Sequence, residues 1–399
     1  MTRLFPSIDT EVLVIGAGPV GLFLSHLLGQ AGIRTLLVEK RSTRDAPSMA
    51  IGLMPPSLRL FAQAGLADPL LTAGVEVQTA VVHDQRRPLG RVDFSGLPPP
   101  FPFILSLPQG ALMEILRERL SEKTSVRFAP GRQAIGVIQE QDCIRVQIRD
   151  LPTGRISEHG ARYVIGCDGH NSDLRHFLNI PISSKSYAPQ FVMGDFPDTT
   201  DWENAAHLFF TPTGSIESFP LPGKARRWVA LAPHGAQDTD ALLHQVKTIT
   251  GWQLSAHEEK WHSSFRPRRQ LADTFYQGRA ILCGDAAHVM SPIGGQGMNT
   301  GFADAGHLAA LLRQALRSGA DAAPLLAGYD HDRRRAFRIA ANRAACGMWL
   351  GAHQGGLFSA MRSLLIRRVL LRPPLVYRLP AHFAMLTIPR GPIPDLEAS

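Results

Sequence analysis

The chain has 399 residues, 44% of them hydrophobic, enough for two or three domains around a large core. Four cysteines (Cys143, Cys167, Cys283, Cys346) lie scattered without a C-x-x-C pair, which excludes a disulfide framework and a zinc site, and no metal is expected. The net charge of +8 is mostly arginine; without nucleic-acid motifs, a bilayer-length apolar run or room for a signal peptide ahead of the first strand, a soluble cytoplasmic protein that binds no nucleic acid is expected.

In chain order, the first predicted element is a strand over 11–16, followed by a helix over 20–31 and a parallel strand over 34–39. The turn between the first two reads Gly16-Ala-Gly18-Pro19-Val20-Gly21, and the second strand ends in Glu39, with Lys40 and Arg41 next. This is a dinucleotide-binding βαβ pattern with its context intact. Gly16 makes the tight turn, Gly18 lets the backbone approach a pyrophosphate, and Gly21 lets the helix pack on the strand. The helix N-terminus offers free N–H groups to the phosphates, and Glu39 accepts from a ribose hydroxyl.

A second helix is expected over 56–64 and an amphipathic one over 110–121, with Leu112, Ile115, Leu116 and Leu120 on one face. Strands follow at 126–128, 134–139, 143–149 and 163–167, with a turn at 150–154. Residues 76–106 and 180–270 differ: short strand-like runs alternate with proline-rich turns, and 209–219 and 227–232 read as neighbours in an antiparallel sheet.

After the strand at 163–167 comes Gly166-Cys-Asp168-Gly169-His170-Asn-Ser172, a sharp turn whose carboxylate and hydroxyl either orient bound phosphates or cap a helix. A third motif spans 278–299. A strand ends at Gly284-Asp285, then Pro292-Ile-Gly294-Gly295-Gln296-Gly297-Met298-Asn299 leads into a helix. Asp285 is placed for ribityl hydroxyls. The glycine loop brings backbone N–H groups to a flat ring, as suits the negative charge of a reduced flavin.

From Asp304 the pattern is helical to about Leu371, and between Asp332 and Asp395 there are eleven arginines and no acid. A solvated helical surface, an anionic membrane surface or an acidic partner all fit that charge. The apolar, arginine-studded run 357–371 reads as a lid over the cleft, a dimer contact or a membrane-surface helix.

The three motifs, in this order and spacing, resemble the para-hydroxybenzoate hydroxylase family of single-component flavin monooxygenases over residues 10–340. The resemblance implies an α/β, glutathione-reductase-like FAD-binding fold of Rossmann type (1–75, 107–178 and 272–340). It also implies an inserted substrate-binding sheet (76–106 and 179–271), leaving a C-terminal helical segment (341–399). It implies FAD, NADPH or NADH as reductant, and O2 activated as a flavin C4a-hydroperoxide. By motif, Gly16, Gly18, Pro19, Val20 and Gly21 would meet the pyrophosphate, Glu39, Lys40 and Arg41 the adenosine, and Gln109 the ribityl region. Gly284 and Asp285 would hold the ribityl chain. Pro292, Gly294, Gly295, Gln296, Gly297, Met298 and Asn299 would line the ring. Asp168 and His170 sit where the family couples the two nucleotides. One departure stands out: where relatives carry an Arg-Ala pair, this chain has Ser48-Met49-Ala50. Arg44 and Arg59 are the candidates to compensate.

The expected activity is insertion of one oxygen atom, by hydroxylation or epoxidation, into an aromatic or polycyclic small molecule, in secondary metabolism or aromatic degradation. Phe219, Leu221 and Trp228 are the candidate substrate contacts, and His83, His207 and His234 the candidate bases. The alternative is a flavin-fold protein that sequesters a labile intermediate with little turnover. A flavin halogenase is set aside, because Gly251-Trp252-Gln-Leu does not continue into that class's signature.

Overall fold

The computed structural model describes residues 9–42, 49–85, 87–232, 238–319, 321–389 and 391. Its largest sheet grows from the apolar runs Thr10–Ile15 and Thr35–Glu39, which pair in parallel. Val12, Leu13, Val14, Leu37 and Val38 are all buried, so these strands are covered on both faces, as parallel strands demand. From edge to edge the order is Tyr276–Gln277, Ala280–Leu282, Ile156–Gly166, Thr10–Ile15, Thr35–Glu39, Val126–Pro130. All pairings but the first are parallel. Arg132–Gln139 and Ile144–Asp150 hang as an antiparallel meander on the first half of Ile156–Gly166.

The helix Pro19–Gln30 begins on a proline, whose missing N–H costs nothing at a helix start, and buries Leu22, Phe23, Leu24, Leu27 and Leu28. Phe23 meets Phe61 of the helix Pro55–Gln63 and Phe302 of the helix Gln296–Ser318. The three ring centroids lie 4.4, 5.6 and 4.9 Å apart in tilted and edge-on geometries. This aromatic knot ties the first motif to the third.

A seven-stranded sheet stands over this layer, in the order Trp261–Phe265, Phe191–Pro197, Ala225–Leu231, Gly214–Leu221, Ala206–Thr211, Thr79–His83, Pro88–Asp93. Alternation along its strands gives it two faces. Val192, Phe209, Ile216, Trp228 and Ala230 turn outward and pack beneath the helix Thr239–Thr250, through Leu242, Val246 and Ile249. That helix is capped by Asp238, which accepts from the Ala241 N–H at 2.9 Å, and is stopped by Gly251 at φ 80°. Met193, Phe219, Val229 and Leu231 turn inward and meet Ile293 of the glycine loop and Met348 of the helix Ala323–Ala352.

This division corrects several expectations. Trp228 is a core residue of the outer face, so it cannot meet a molecule in the cleft. His83 and His207 also lie outward: their ring nitrogens are 3.0 Å apart, and both stack in the Trp202–Phe209 cluster. Burial, with His83 and Arg226 nearby, pushes His207 down to about 3, so it stays neutral in a packed layer. His234 falls outside the described residues.

The arginine-rich tract is not one solvated surface either. Arg333 and Arg362 are buried. The long helix breaks after Ala352, and a second helix, Gly356–Leu365, packs across the seven-stranded sheet. No helix among the described residues is long and apolar enough to cross a membrane.

Candidate functional site

Three neighbouring parallel strands end side by side: Thr10–Ile15 runs into Gly16, Ile156–Gly166 into Asp168, and Ala280–Leu282 into Gly284. The carboxyl ends of such strands are where an open α/β sheet holds its ligand. The three sequence motifs therefore share one crevice.

The glycines of the first motif separate into two kinds. Gly16 has φ +100°, and a Cβ there would lie 2.5 Å from the Cys167 carbonyl oxygen. A Cβ on Gly21 would lie 1.9 Å from the Gly16 carbonyl oxygen. Both are demands of the fold. Gly18 has an ordinary φ of −69°, and a Cβ there would meet nothing within 4 Å. The fold does not need that glycine, and the space over it, open among the described residues, leaves room for a group to approach the backbone from outside the protein. The helix behind it starts without a side-chain cap or an acid in its first turn, leaving its N–H groups for an anion.

Glu39 is held toward this turn. The Ala17 N–H donates to its Oε2 at 2.8 Å, and Arg41 donates to its Oε1 through the backbone N–H and Nε at 3.0 and 3.2 Å. Lys40 faces Asp173 at 3.7 Å. Gln109 opens the helix Gln109–Ser121 and anchors the 49–51 segment by donating its N–H to the Ala50 carbonyl at 3.0 Å.

In the second motif Ser172 caps the helix Asp173–Phe177 by accepting from the Arg175 N–H at 3.0 Å. Asp168 accepts the Leu174 N–H at 3.1 Å on Oδ2, whereas its buried Oδ1 has no hydrogen-bond partner among the described residues. Burial pushes this carboxyl up. Arg175 donates to the His170 carbonyl and, at 2.8 Å, to that of Ala286, so it stitches the second motif to the third.

Gly284, at φ +62°, rests against Val20 and brings the third motif to the first. Asp285 follows the carboxyl end of the strand Ala280–Leu282 with an exposed side chain, and desolvation by the protein around it raises its carboxyl. A carboxyl in that position stays ionised when polar hydrogens reach it, which fits polyol hydroxyls. Gly294 and Gly295 take left-handed φ values of 81° and 66° and start the helix Gln296–Ser318 without a side-chain cap. Gln296 presents a buried Oε1 with no hydrogen-bond partner among the described residues. Asn299 works differently: it accepts the Met54 N–H at 2.9 Å and donates to the carbonyls of Gly52 and Gly295, locking the loop.

Sequence reasoning missed three residues. Asp304, at 0% exposure, accepts from His288 Nε2 and from Arg333 Nε at 2.6 Å each, and from the Gly284 N–H at 3.2 Å. Arg227 forms a two-pronged pair with Asp195 at 2.6 and 2.8 Å, lies over Trp261, and donates to the Met49 carbonyl at 2.7 Å. A guanidinium thus reaches the Met49 segment from the sheet. Arg59 is spent on the carbonyls of Pro98 and Pro99, and Arg44 lies outside the described residues.

The third is Glu217. It shares the inward face with Phe219, opposite Val229 and Leu208. It is partly exposed, makes no hydrogen bond among the described residues, and is pushed up to about 7 by burial. Its place in an alternating strand was legible; that the strand's polar position faces inward was not.

The crevice fits FAD on three observations: the open cradle over Gly18, the unpartnered Oδ1 of Asp168, and Asp285 facing the crevice. Replacing Asp285 by Ala should weaken FAD about 10- to 100-fold, the cost of losing hydrogen bonds to a charged group. Flavin absorbance after gel filtration reads this directly, and a variant that stays fully yellow would show that Asp285 does not hold the cofactor.

A family model described as "FAD binding domain" matches residues 9–344. Among curated proteins, the chain is 32% identical over 318 residues to 6-methylpretetramide 4-monooxygenase of Streptomyces rimosus, covering 78% of this chain and 57% of that protein. It is 29% identical to rifampicin monooxygenase of Streptomyces venezuelae, covering 75% and 63%. The chain thus spans less than two thirds of either relative's length. The p-nitrophenol 4-monooxygenase structure from Pseudomonas putida superposes with a TM-score of 0.86 at 22% identity, over 95% of this chain and 98% of that one, and shows the shared fold. The anhydrotetracycline hydroxylase of Streptomyces rimosus superposes with a TM-score of 0.78 at 25% identity, over 96% and 77%. The chain belongs to this FAD-binding family, in keeping with the resemblance that its three motifs carry.

Proposed function

We propose that this chain is an FAD-dependent monooxygenase that uses NADPH or NADH and O2 to place one oxygen atom, by hydroxylation or epoxidation, on an aromatic or polycyclic small molecule. The observation that carries this is the largely apolar inward face of the seven-stranded sheet, set against the Pro292–Gly297 loop, with the Glu217 carboxyl beside Phe219 and Val229. The names monooxygenase and hydroxylase on its relatives support the reading. So does a role in secondary metabolism or aromatic degradation, from relatives named for rifampicin and pentachlorophenol.

When bound, FAD supplies the passage of electrons from the nicotinamide to O2 and the transfer of one oxygen atom to the guest. The protein's share is placement. Gly16, Gly18 and Gly21 form the phosphate turn, Glu39 the ribose site, and Asp285 the ribityl site. The Gly295 N–H is held by the Pro292 carbonyl at 2.9 Å, so the uncapped start of the helix Gln296–Ser318, from Gln296 on, would be what favours negative charge on a bound ring. Phe219, Val229, Met193 and Ile293 give an aromatic guest a dry surface, and Leu221 extends it on the same strand face. Trp228 takes no part.

Glu217 accepts the proton of a phenolic hydroxyl, a step worth roughly 10²- to 10⁴-fold in rate when the group is well placed. Its carboxyl is raised toward neutrality, so the rate should climb with pH through about 7 as the carboxylate forms. Glu217→Gln should lower kcat/KM by that factor on phenolic substrates, abolish the pH step, and leave FAD content unchanged. A variant with the parent's rate and pH profile would remove Glu217 from the mechanism.

The purified protein tests the whole reading. Yellow protein that oxidises NADPH or NADH faster in the presence of an aromatic compound, with a product heavier by one oxygen atom, supports it. A flavin that neither nicotinamide reduces, with tight small-molecule binding, would favour a sequestering role and overturn it.

A further inference from the structure

The helix Gly356–Leu365 is built inside out. Arg362 points into the protein, where it is buried and donates to the carbonyls of Leu350, His353 and Thr211 at 2.8, 3.2 and 2.8 Å, over the Phe210 ring. Ser359 is buried beside it, 3.2 Å away. The outward positions hold Leu357, Met361, Leu364 and Leu365, at 79, 64, 61 and 45% exposure. This spacing of four, three and one is a single helical stripe. A helix that served only to cover a core would carry its charge outward and its leucines inward.

The stripe continues onto the neighbouring helix. Trp349, half exposed, meets the Phe358 ring edge-on at 5.3 Å, and Val369 extends the patch on the far side. Arg367, Arg368 and Arg372 flank it, in the tract from Asp332 to Asp395 that contains no acid. An exposed apolar stripe with a tryptophan beside it and a basic border matches the interface of an anionic bilayer, where rings and leucines enter the acyl boundary and arginines meet the headgroups. A second copy of this chain is a poorer occupant, because a symmetric contact through the stripe would bring the same arginines together.

We infer that the helix Gly356–Leu365 seats the protein on anionic lipid surfaces, without spanning them. The carbonyl bonds of Arg362 fix the helix to the sheet, so its apolar face is held ready rather than formed on contact. The inference rests on this face alone and stands whether or not the oxidation reading does.

The test is co-sedimentation of the full chain with vesicles of phosphatidylcholine alone and of phosphatidylcholine with an equal part of phosphatidylglycerol. Each arginine at an anionic surface contributes about a fivefold preference, so three should favour the anionic vesicles by about a hundredfold at low salt. High salt should weaken that preference. The double variant Met361→Glu with Leu364→Glu should abolish binding, and Arg367→Gln with Arg368→Gln should lower it more than tenfold. Both should keep the parent's bound flavin and circular dichroism. Equal recovery with both vesicle types, or binding that survives the glutamates, would overturn the inference. So would a concentration-dependent dimer in sedimentation velocity that the Met361 and Leu364 substitutions dissolve.

Discussion

Gly18→Val is expected to give a folded but colourless protein. The backbone at Gly18 already has φ −69°, which valine adopts freely, and a Cβ there touches no atom of the described residues within 4 Å. The apoprotein should therefore unfold within about 0.5 kcal/mol of its parent, as surface substitutions do. The valine methyls would instead fill the space in which the pyrophosphate approaches the backbone. Overpacking of that kind costs about 3 kcal/mol, so FAD should bind roughly a hundredfold more weakly. The ratio of flavin to protein absorbance measures loading, and thermal unfolding of the apoprotein measures the fold. Gly21→Ala is the control: its Cβ would collide with the Gly16 carbonyl, so it should damage fold and binding together. A flavin-loaded Gly18→Val protein would refute the phosphate-turn assignment.

Asp304→Ala is expected to be the most damaging single change to the fold. Burial alone would raise this carboxyl, but His288 and Arg333 outweigh it and hold the group down to about 2. Removing it leaves Arg333 charged and buried without its ion partner, a loss of about 3–5 kcal/mol. It also frees the Gly284 N–H, so the turn bearing Asp285 loses its support. Urea unfolding should show the loss, and FAD affinity should fall with it. The pH dependence follows from the sign of the shift. A carboxyl held below its unfolded value stabilises the fold at neutral pH, and that stability drains away as pH falls from about 4 through about 2. Asp304→Asn should flatten this limb. An alanine variant within about 1 kcal/mol of the parent would mean that the network is not the anchor assigned here.

How far the sequence could be read depends on how local each signal is. The strand–turn–helix of residues 10–30, the Asp168 turn and the Gly294–Gly297 loop were legible because glycine, proline and apolar periodicity act within a few residues. Their meeting in one crevice followed only from a family pattern. The helical tract from Asp304 onward was visible as a long apolar periodicity, but its breaks after Ser318 and after Ala352 were not. Side-chain direction was the weakest inference. Trp228 and Phe219 look alike in an apolar strand, yet one packs outward under the helix Thr239–Thr250 and the other turns inward beside Ile293 and Met348. Glu217 and Arg227 were passed over because charged residues in a strand ordinarily face water.

By itself, the amino-acid sequence determined the βαβ turn, the two glycine turns that follow it and the acid-free basic tract between Asp332 and Asp395. Those features depend on which backbone angles a residue permits and on charge that cannot be hidden in composition. Only the tertiary structure decided which arginines are buried, which face of the inserted sheet meets the crevice, and that Asp304 stands behind Asp285. Each of those depends on partners distant in sequence, such as Arg333 for Asp304 and Asp195 for Arg227, and burial sets the strength of a charge only once such partners have been brought together.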